Sequence, residues 1–257
     1  MQGNEKFLGR VTSYAHKHAL WREGEWILAA VSGGPDSLAL LLALKLLAVK
    51  EKINIGCCCV NHHLRAAAGK EAEFVESVCR EWNIPFILKE VDVQSAVRNG
   101  GSIETAARDL RYKALREAAR GGGYAKIAVA HHGDDQAETV LYHLLRGSGV
   151  TGLSGMKPIN EDIIRPFLCV SKNEIKDFLK DFSYVPCHDE SNDVEDAVRN
   201  RIRLSLVPEL ISYNPRVTES LRRTADIFRE EDLFMEEKAD VFISSCVEHD
   251  NDKCVFF

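Results

Sequence analysis

The stretch from Trp26 to Val49, WILAAVSGGPDSLALLLALKLLAV, limits what this chain can fold into more than any other. Trp26 to Val31 is a short apolar run, the pattern of a strand covered on both faces. Ser32-Gly33-Gly34-Pro35-Asp36-Ser37 is a turn of small residues. Leu38 to Val49 is apolar apart from Lys45, too long for a strand, and reads as a buried helix. A strand, a glycine turn and a helix make an anion site, because the first backbone N–H groups of a helix are unpaired and its dipole adds positive charge there. Gly33 and Gly34 let backbone approach a phosphate with no Cβ in the way. Pro35 suits the first helical turn, where its missing N–H costs nothing. Ser32 and Ser37 offer hydroxyl donors, and Asp36 can hold a magnesium ion on the phosphates. The turn is not a Walker A loop, GxxxxGK[ST], since no lysine follows the glycines.

The segments that follow alternate strand and helix. Residues 5 to 22 form an amphipathic helix ahead of the first strand, with Phe7, Leu8, Val11, Tyr14, Ala15 and His18 near helical spacing. Ile53 to Val60 is a second strand ending at Asn61-His62-His63-Leu64-Arg65, and Glu71 to Trp82 a helix. Pro85 to Val91 is a third strand, and Ile103 to Arg120 a helix that Ser102 can cap. Lys126 to Ala130 is a fourth strand, with a helix from His131 to Arg146. This order predicts an α/β fold, a doubly wound, mostly parallel sheet flanked by helices, with ligands beyond the carboxyl ends of its strands. The SGGPDS turn, His62-His63 and His131-His132 all follow predicted strands and so collect on that edge. From Pro215 onward, Val217, Leu221, Ala225 and Phe228 predict a long helix. The expected division is a catalytic domain over 1–214 and a helical extension over 215–257.

Charge and cysteine usage narrow the class. The net charge is −6, but Arg216 to Phe257 alone holds 6 basic and 11 acidic residues, which leaves the rest nearly neutral. Basic clusters are therefore a local matter. The eight cysteines include no CxxC pair, and Cys57, Cys58 and Cys59 sit in an apolar run as small hydrophobes. Neither a zinc site nor a disulfide scaffold is indicated, which suits a reducing compartment. The N-terminus lacks a signal-peptide core and Leu38 to Val49 is too short to span a bilayer, so the expectation is a cytoplasmic protein with no membrane partner.

Three further clusters carry chemistry-bearing side chains. In His131-His132-Gly133-Asp134-Asp135-Gln136-Ala137-Glu138-Thr139, Asp135 and Glu138 have the spacing of a helix capping box. Two histidines and three carboxylates exceed what a cap needs and could orient an amine or help hold a metal. Arg108 and Arg111, at i and i+3, share a helix face and either lie in solvent and ion pairs or stabilise phosphate. Arg199, Arg201 and Arg203 alternate, which in an extended segment would put all three on one side to grip phosphates. Asp189-Glu190-Ser191-Asn192 precedes them in a polar loop.

Taken together, SGGPDS, HHGDDQAETVLYHLLRGSGVTGLSGM, IRPFL, DESN and RNRIRLSLVPEL followed by Asn214-Pro215 resemble the tRNA(Ile)-lysidine synthases of the PP-loop ATP pyrophosphatase superfamily. The turn alone marks the superfamily; the ordered set, over roughly residues 26 to 215, is more specific. The resemblance implies ligation of free L-lysine to C2 of the wobble cytidine in the CAU anticodon of tRNA(Ile), using ATP and Mg2+. It gives Ser32, Gly33, Gly34, Pro35, Asp36 and Ser37 to the pyrophosphate, with Asp36 as the metal ligand. It places His131, Asp135 and Glu138 at the lysine and cytidine site, and Arg108, Arg201 and Arg203 on phosphate or the activated base. Members of that family commonly continue into C-terminal domains that grip the tRNA, so residues 215–257 are read as a linker and the start of a truncated region. Rival readings are a PP-loop tRNA 2-thiolation enzyme, whose members tend to carry CxxC cysteines, and a nucleotide-binding protein without turnover. The sequence leaves the oligomeric state open, a homodimer included.

Overall fold

The computed structural model describes residues 2–63, 68–93, 103–182, 184, 186, 197–250 and 253–256. Leu64, Arg65, Ser102 and the Asp189–Asn192 loop lie outside them. The chain divides into two compact units: Met1–Asp135 with Lys157–Ala197, and Gln136–Met156 with Val198–Phe257.

The first unit is built on a six-stranded sheet. In chain order its strands are β1 (Trp26–Ala30), β2 (Asn54–Asn61), β3 (Phe86–Glu90), β4 (Lys126–Ala128), β5 (Ile159–Asn160) and β6 (Ile163–Ile164). Their spatial order is β3-β2-β1-β4-β6-β5, parallel throughout except for the β5–β6 hairpin. The chain winds outward from β1 through β2 to β3, then returns to the other side of β1 for β4. The crevice at the carboxyl ends of β1 and β4 is therefore the switch point of the sheet.

Two apolar layers cover the sheet. On one side lie α1 (Gln2–Lys17), α2 (Pro35–Glu51), α3 (Ala68–Glu81) and, from the far end of the unit, a helix over Lys172–Leu179. Helix α2 is buried from Ser37 to Leu44 and again at Leu47, the part its apolar sequence requires to be covered, while Leu46 and Val49 near its end are exposed. Leu38, Leu40, Leu41, Leu42 and Leu44 have no exposed surface, each contributing ~2 kcal/mol of burial. The helix ends where Lys52 turns left-handed at φ 51° and donates its N–H to the Ala48 carbonyl. In α1, Phe7, Val11 and Ala15 recur at i, i+4 and are the buried stripe. Phe7 stacks on Phe178 at 4.5 Å and meets Phe167 edge-on at 5.5 Å. The other side is covered by α4 (Ile103–Gly122), whose Leu115, Ala118 and Ala119 pack on Leu28, Cys58 and Ile127. Cys57, Cys58, Cys59 and Cys79 are buried free thiols, and burial pushes Cys58 and Cys59 up to about 12. They behave as the small hydrophobes their sequence setting suggested.

Helix α5 (Gly133–Leu145) begins in the first unit and runs into the second. There follow the glycine-rich turn with α6 (Val150–Leu153), the Lys172–Leu179 helix (α7) back in the first unit, then α8 (Ala197–Arg201), α9 (Val207–Tyr213) and the 30-residue α10 (Val217–Cys246). The tail closes in a hairpin, Val247–Asp250 with Lys253–Phe256. The glycine-rich turn is fastened inside the second unit from two helices. Gln136 of α5 donates to the Met156 carbonyl at 3.2 Å and accepts from the Met156 N–H at 2.7 Å. Arg229 of α10 donates to the Ser154 and Met156 carbonyls at 3.0 and 3.1 Å. Gly155, at φ +63°, could not carry a side chain, since a Cβ would lie 2.8 Å from the Gln136 amide. No helix among the described residues is long and apolar enough to cross a membrane.

Candidate active site

The SGGPDS turn connects β1 to α2 at the switch point. Gly34 is the extended residue before the helix and Pro35 occupies its first turn. Gly33 sits at φ +88°, a backbone angle that calls for glycine. Ser37 shapes the turn from within. Its hydroxyl accepts from the Ser32 N–H at 3.1 Å and donates to the Gly34 carbonyl at 3.0 Å. The two serine hydroxyls lie 3.3 Å apart.

His131 and His132 lie between the end of β4 and the start of α5, and they enter different environments. The Nε2 of His132 lies 3.7 Å from Asp36 Oδ2, and its Nδ1 lies 3.3 Å from Asp135 Oδ2 and 3.8 Å from Asp134 Oδ2. Burial works against charge on this ring, but the nearby carboxylates of Asp36, Asp135 and Asp134 outweigh it and raise its pKa. Asp36 shows the mirror effect: burial opposes ionisation, yet His132, Lys172 and Lys176 hold its carboxyl below the ordinary value. Its second oxygen, Oδ1, is buried without a hydrogen-bond partner among the described residues.

His131 is buried among cations. Desolvation first, then Arg165, Arg111 and Arg108, drive its pKa well below the usual imidazole value, so it is neutral. Its Nδ1 has no partner among the described residues. Arg108 and Arg111 do share a helix face, and both guanidinium groups lie 5.6 Å from the Tyr112 ring. Arg165 is buried and donates to the Lys157 carbonyl at 2.7 Å.

The capping box is shifted by three residues from the Asp135–Glu138 spacing. His132 is the residue before α5: its N–H donates to Asp135 Oδ2 at 2.9 Å, and its ring nitrogen accepts from the Asp135 N–H at 3.3 Å. Asp134 meanwhile accepts from the Lys172 N–H at 2.6 Å at the start of α7. Glu138 is left for other work. Within the second unit it takes a two-pronged contact from Arg203, 2.8 Å from Nε and 2.9 Å from the terminal nitrogen.

The expectation of an extended Arg199–Arg203 segment is corrected. These residues lie in α8 and in the wide π-helical turn that continues it, Ile202–Leu206. On a helix, alternate residues point in different directions, whereas i and i+4 share a face. Accordingly Arg199 reaches Thr139 at 3.3 Å and Arg203 reaches Glu138, while Arg201 is exposed. The sequence marked the HHGDDQAET cluster as a whole, and the resemblance singled out His131, Asp135 and Glu138 from it, since nothing in HHGDDQ says that His132 is the histidine facing the turn. Among the described residues no group of three or more His, Cys, Asp or Glu side chains is placed to hold a metal by itself.

A strand–glycine turn–helix at the switch point, with an acidic side chain in the turn and a histidine from the segment after the neighbouring strand against it, defines a nucleotide-binding class. The family model described as the PP-loop domain matches residues 5–210, and the chain belongs to that family. Its curated relatives are more particular. It is 37% identical over 235 residues to the tRNA(Ile)-lysidine synthase of Thermotoga sp. (strain RQ2), covering 91% of this chain and 57% of that protein. It is 37% identical over 233 residues to the tRNA(Ile)-lysidine synthase of Petrotoga mobilis, covering 88% of this chain and 74% of that one. Within the PP-loop proteins it thus falls among the tRNA(Ile)-lysidine synthases, spanning about half to three quarters of their length. The U34-tRNA thiolase NcsA from Methanococcus maripaludis, solved with its [4Fe-4S] cluster, shares the fold at a TM-score of 0.69 and 16% identity, over 88% of this chain and 80% of that one.

Proposed function

We propose that this chain ligates free L-lysine to C2 of the wobble cytidine in the CAU anticodon of an isoleucine tRNA, consuming ATP to AMP and pyrophosphate in the cytoplasm. The observation that carries the reading is the SGGPDS turn meeting His132 at the switch point, in a chain that belongs among proteins named for that product. The cytidine C2 oxygen is a poor leaving group and must be activated. It attacks the α-phosphorus of ATP, the bond to pyrophosphate breaks, and the base becomes adenylated. The ε-amine of lysine then forms a bond to C2, AMP leaves with the oxygen, and the amine loses a proton. No protein nucleophile enters, so catalysis is positioning and charge stabilisation.

In this proposal Ser32, Gly33, Gly34, Pro35, Asp36 and Ser37 hold the pyrophosphate portion at the start of α2. Asp36 holds Mg2+: a buried carboxylate oxygen without a donor suits a hard cation, and one carboxylate completed by phosphate oxygens is a common magnesium environment. The ion supplies neutralising charge to the pyrophosphate when bound. His132 orients the Asp36 carboxylate from the other oxygen. His131, Asp135 and Glu138 serve lysine and cytidine, and Arg108 and Arg201 meet phosphate. Arg203 acts through Glu138, which it holds by both oxygens.

The test is pyrophosphate release from Mg-ATP with a CAU-anticodon tRNA(Ile) transcript and lysine. AMP and pyrophosphate should form only when the transcript is present. Release at the same rate without RNA, or none with all three substrates, would remove the proposal.

A further inference from the structure

A cavity of about 520 Å3 lies between α4 and the β5–β6 hairpin of the first unit, and no residue of the SGGPDS turn lines it. Its lining contains five cationic side chains and two carboxylates, Asp109 and Glu117, an excess that the chain's net charge of −6 does not foreshadow. Arg108, Tyr112, Arg116 and Arg120 repeat at i+4 along α4, with Lys113 beside them, so the charge forms a stripe rather than a point. From Arg108 to Arg120 the helix rises ~18 Å. That is about five steps of one nucleic-acid strand at ~3.4 Å each.

The members of the stripe differ in how far they are neutralised. Arg116 is held by Asp162 at 3.1 and 3.2 Å and by Glu161 at 2.9 Å, which ties the hairpin to α4 and sets the width of the cavity. Lys113 and Arg120 are exposed and make no ion pair within the described residues. At the end nearest the carboxyl edge of the sheet, Arg165 is buried, and its Nε–H has no acceptor among the described residues. A buried guanidinium donor without an acceptor is costly unless a ligand supplies one. Tyr112 and Ile163 are the main apolar surfaces, too little for a hydrophobic ligand. A compact anion would need converging donors; these are strung along a helix, and Lys113 and Arg120 are open to solvent.

We propose that this cavity is a track for the phosphate backbone of the RNA substrate, entered at Arg108 and Arg165 and followed outward by Lys113 and Arg120. The inference rests on the reading that the substrate is a tRNA. The track is sequence-independent and adds affinity and register, leaving base choice to other contacts.

The test is equilibrium binding of the CAU-anticodon tRNA(Ile) transcript, without ATP or lysine, as a function of salt. The Lys113→Gln/Arg120→Gln variant changes two exposed side chains, and thermal melting checks that it is folded. Its affinity should fall about tenfold at moderate salt, and its slope of log K against log salt should become shallower by about 1.5, two phosphate contacts fewer. A control, Lys6→Gln/Lys50→Gln, removes two exposed charges elsewhere and should leave the slope unchanged. Equal losses in both variants, or none in the first, would overturn the track. Millimolar inorganic phosphate displacing the transcript fully at constant ionic strength would also overturn it, since the cavity would then be a single-anion site. Because binding is read without turnover, failure of lysine ligation in the wild-type protein would strike the proposed reaction and leave this measurement decisive for the track.

Discussion

Removing Arg203 should destabilise the protein far more than its partly exposed position suggests. The Glu138 side chain is only 8% exposed and Arg203's is 24% exposed, with two parallel contacts at 2.8 and 2.9 Å. Taking away one member of a buried pair leaves an uncompensated charge, at ~3–5 kcal/mol. Water can reach the guanidinium side, so the lower end, about 3 kcal/mol, applies to Arg203→Leu. For a chain of this size that is a fall of roughly 6–12 °C in melting temperature. Replacing both residues, Glu138→Leu with Arg203→Leu, removes the stranded carboxylate and should recover most of the loss, because an apolar pair of similar volume replaces an ion pair at little cost. A double-mutant cycle by thermal or urea unfolding should therefore show strong non-additivity, on the order of 3 kcal/mol. Additive effects, or a single-variant loss below 1 kcal/mol, would refute the view that Glu138 and Arg203 stabilise the fold as a buried pair.

Gly33→Ala should weaken Mg-ATP binding about tenfold and cost ~1–2 kcal/mol of stability, because the left-handed backbone at φ +88° disfavours a Cβ; isothermal titration and a melting curve check the two parts. Asp36→Asn should abolish most of the magnesium dependence of ATP binding, seen by titrating ATP with and without the ion, while unchanged magnesium dependence would remove Asp36 as the ligand. His131 should penalise folding in acid. Its pKa is depressed in the folded protein, so the unfolded chain takes up a proton first as pH falls below about 6.5, and the stability present above that value is lost progressively. Melting temperatures of wild type and His131→Gln should therefore converge between pH 7.5 and 5.5 as the wild-type contribution disappears.

Most of the fold was legible because it rests on patterns that burial enforces. Trp26–Ala30 and Pro35–Glu51 lie close to where their apolar runs placed them, since so much apolar surface must be covered by the rest of the fold. The turn between them followed from chemistry, as small residues and a proline admit few conformations. The site's partners were less legible. HHGDDQ fixes that two imidazoles and two carboxylates meet a strand end, but only the geometry of β4 beside β1 sends His132 to Asp36 and His131 to the arginines. Arg199, Arg201 and Arg203 misled because alternation means one face only in an extended chain. The helical alternative lacked an apolar stripe to betray it in so short a segment. Arg229 carried no sequence signal at all: its role depends on carbonyls 73 and 75 residues away.

The central claim is that the SGGPDS centre serves lysine transfer to a wobble cytidine. The most direct measurement is incubation of the protein with labelled L-lysine, Mg-ATP and the CAU-anticodon tRNA(Ile) transcript, followed by nuclease digestion and mass analysis of the anticodon fragment. Lysine joined to the wobble cytidine, with loss of one water from the pair, is the predicted result. An unmodified cytidine alongside AMP formation, or lysine found on any other nucleotide, would contradict the account.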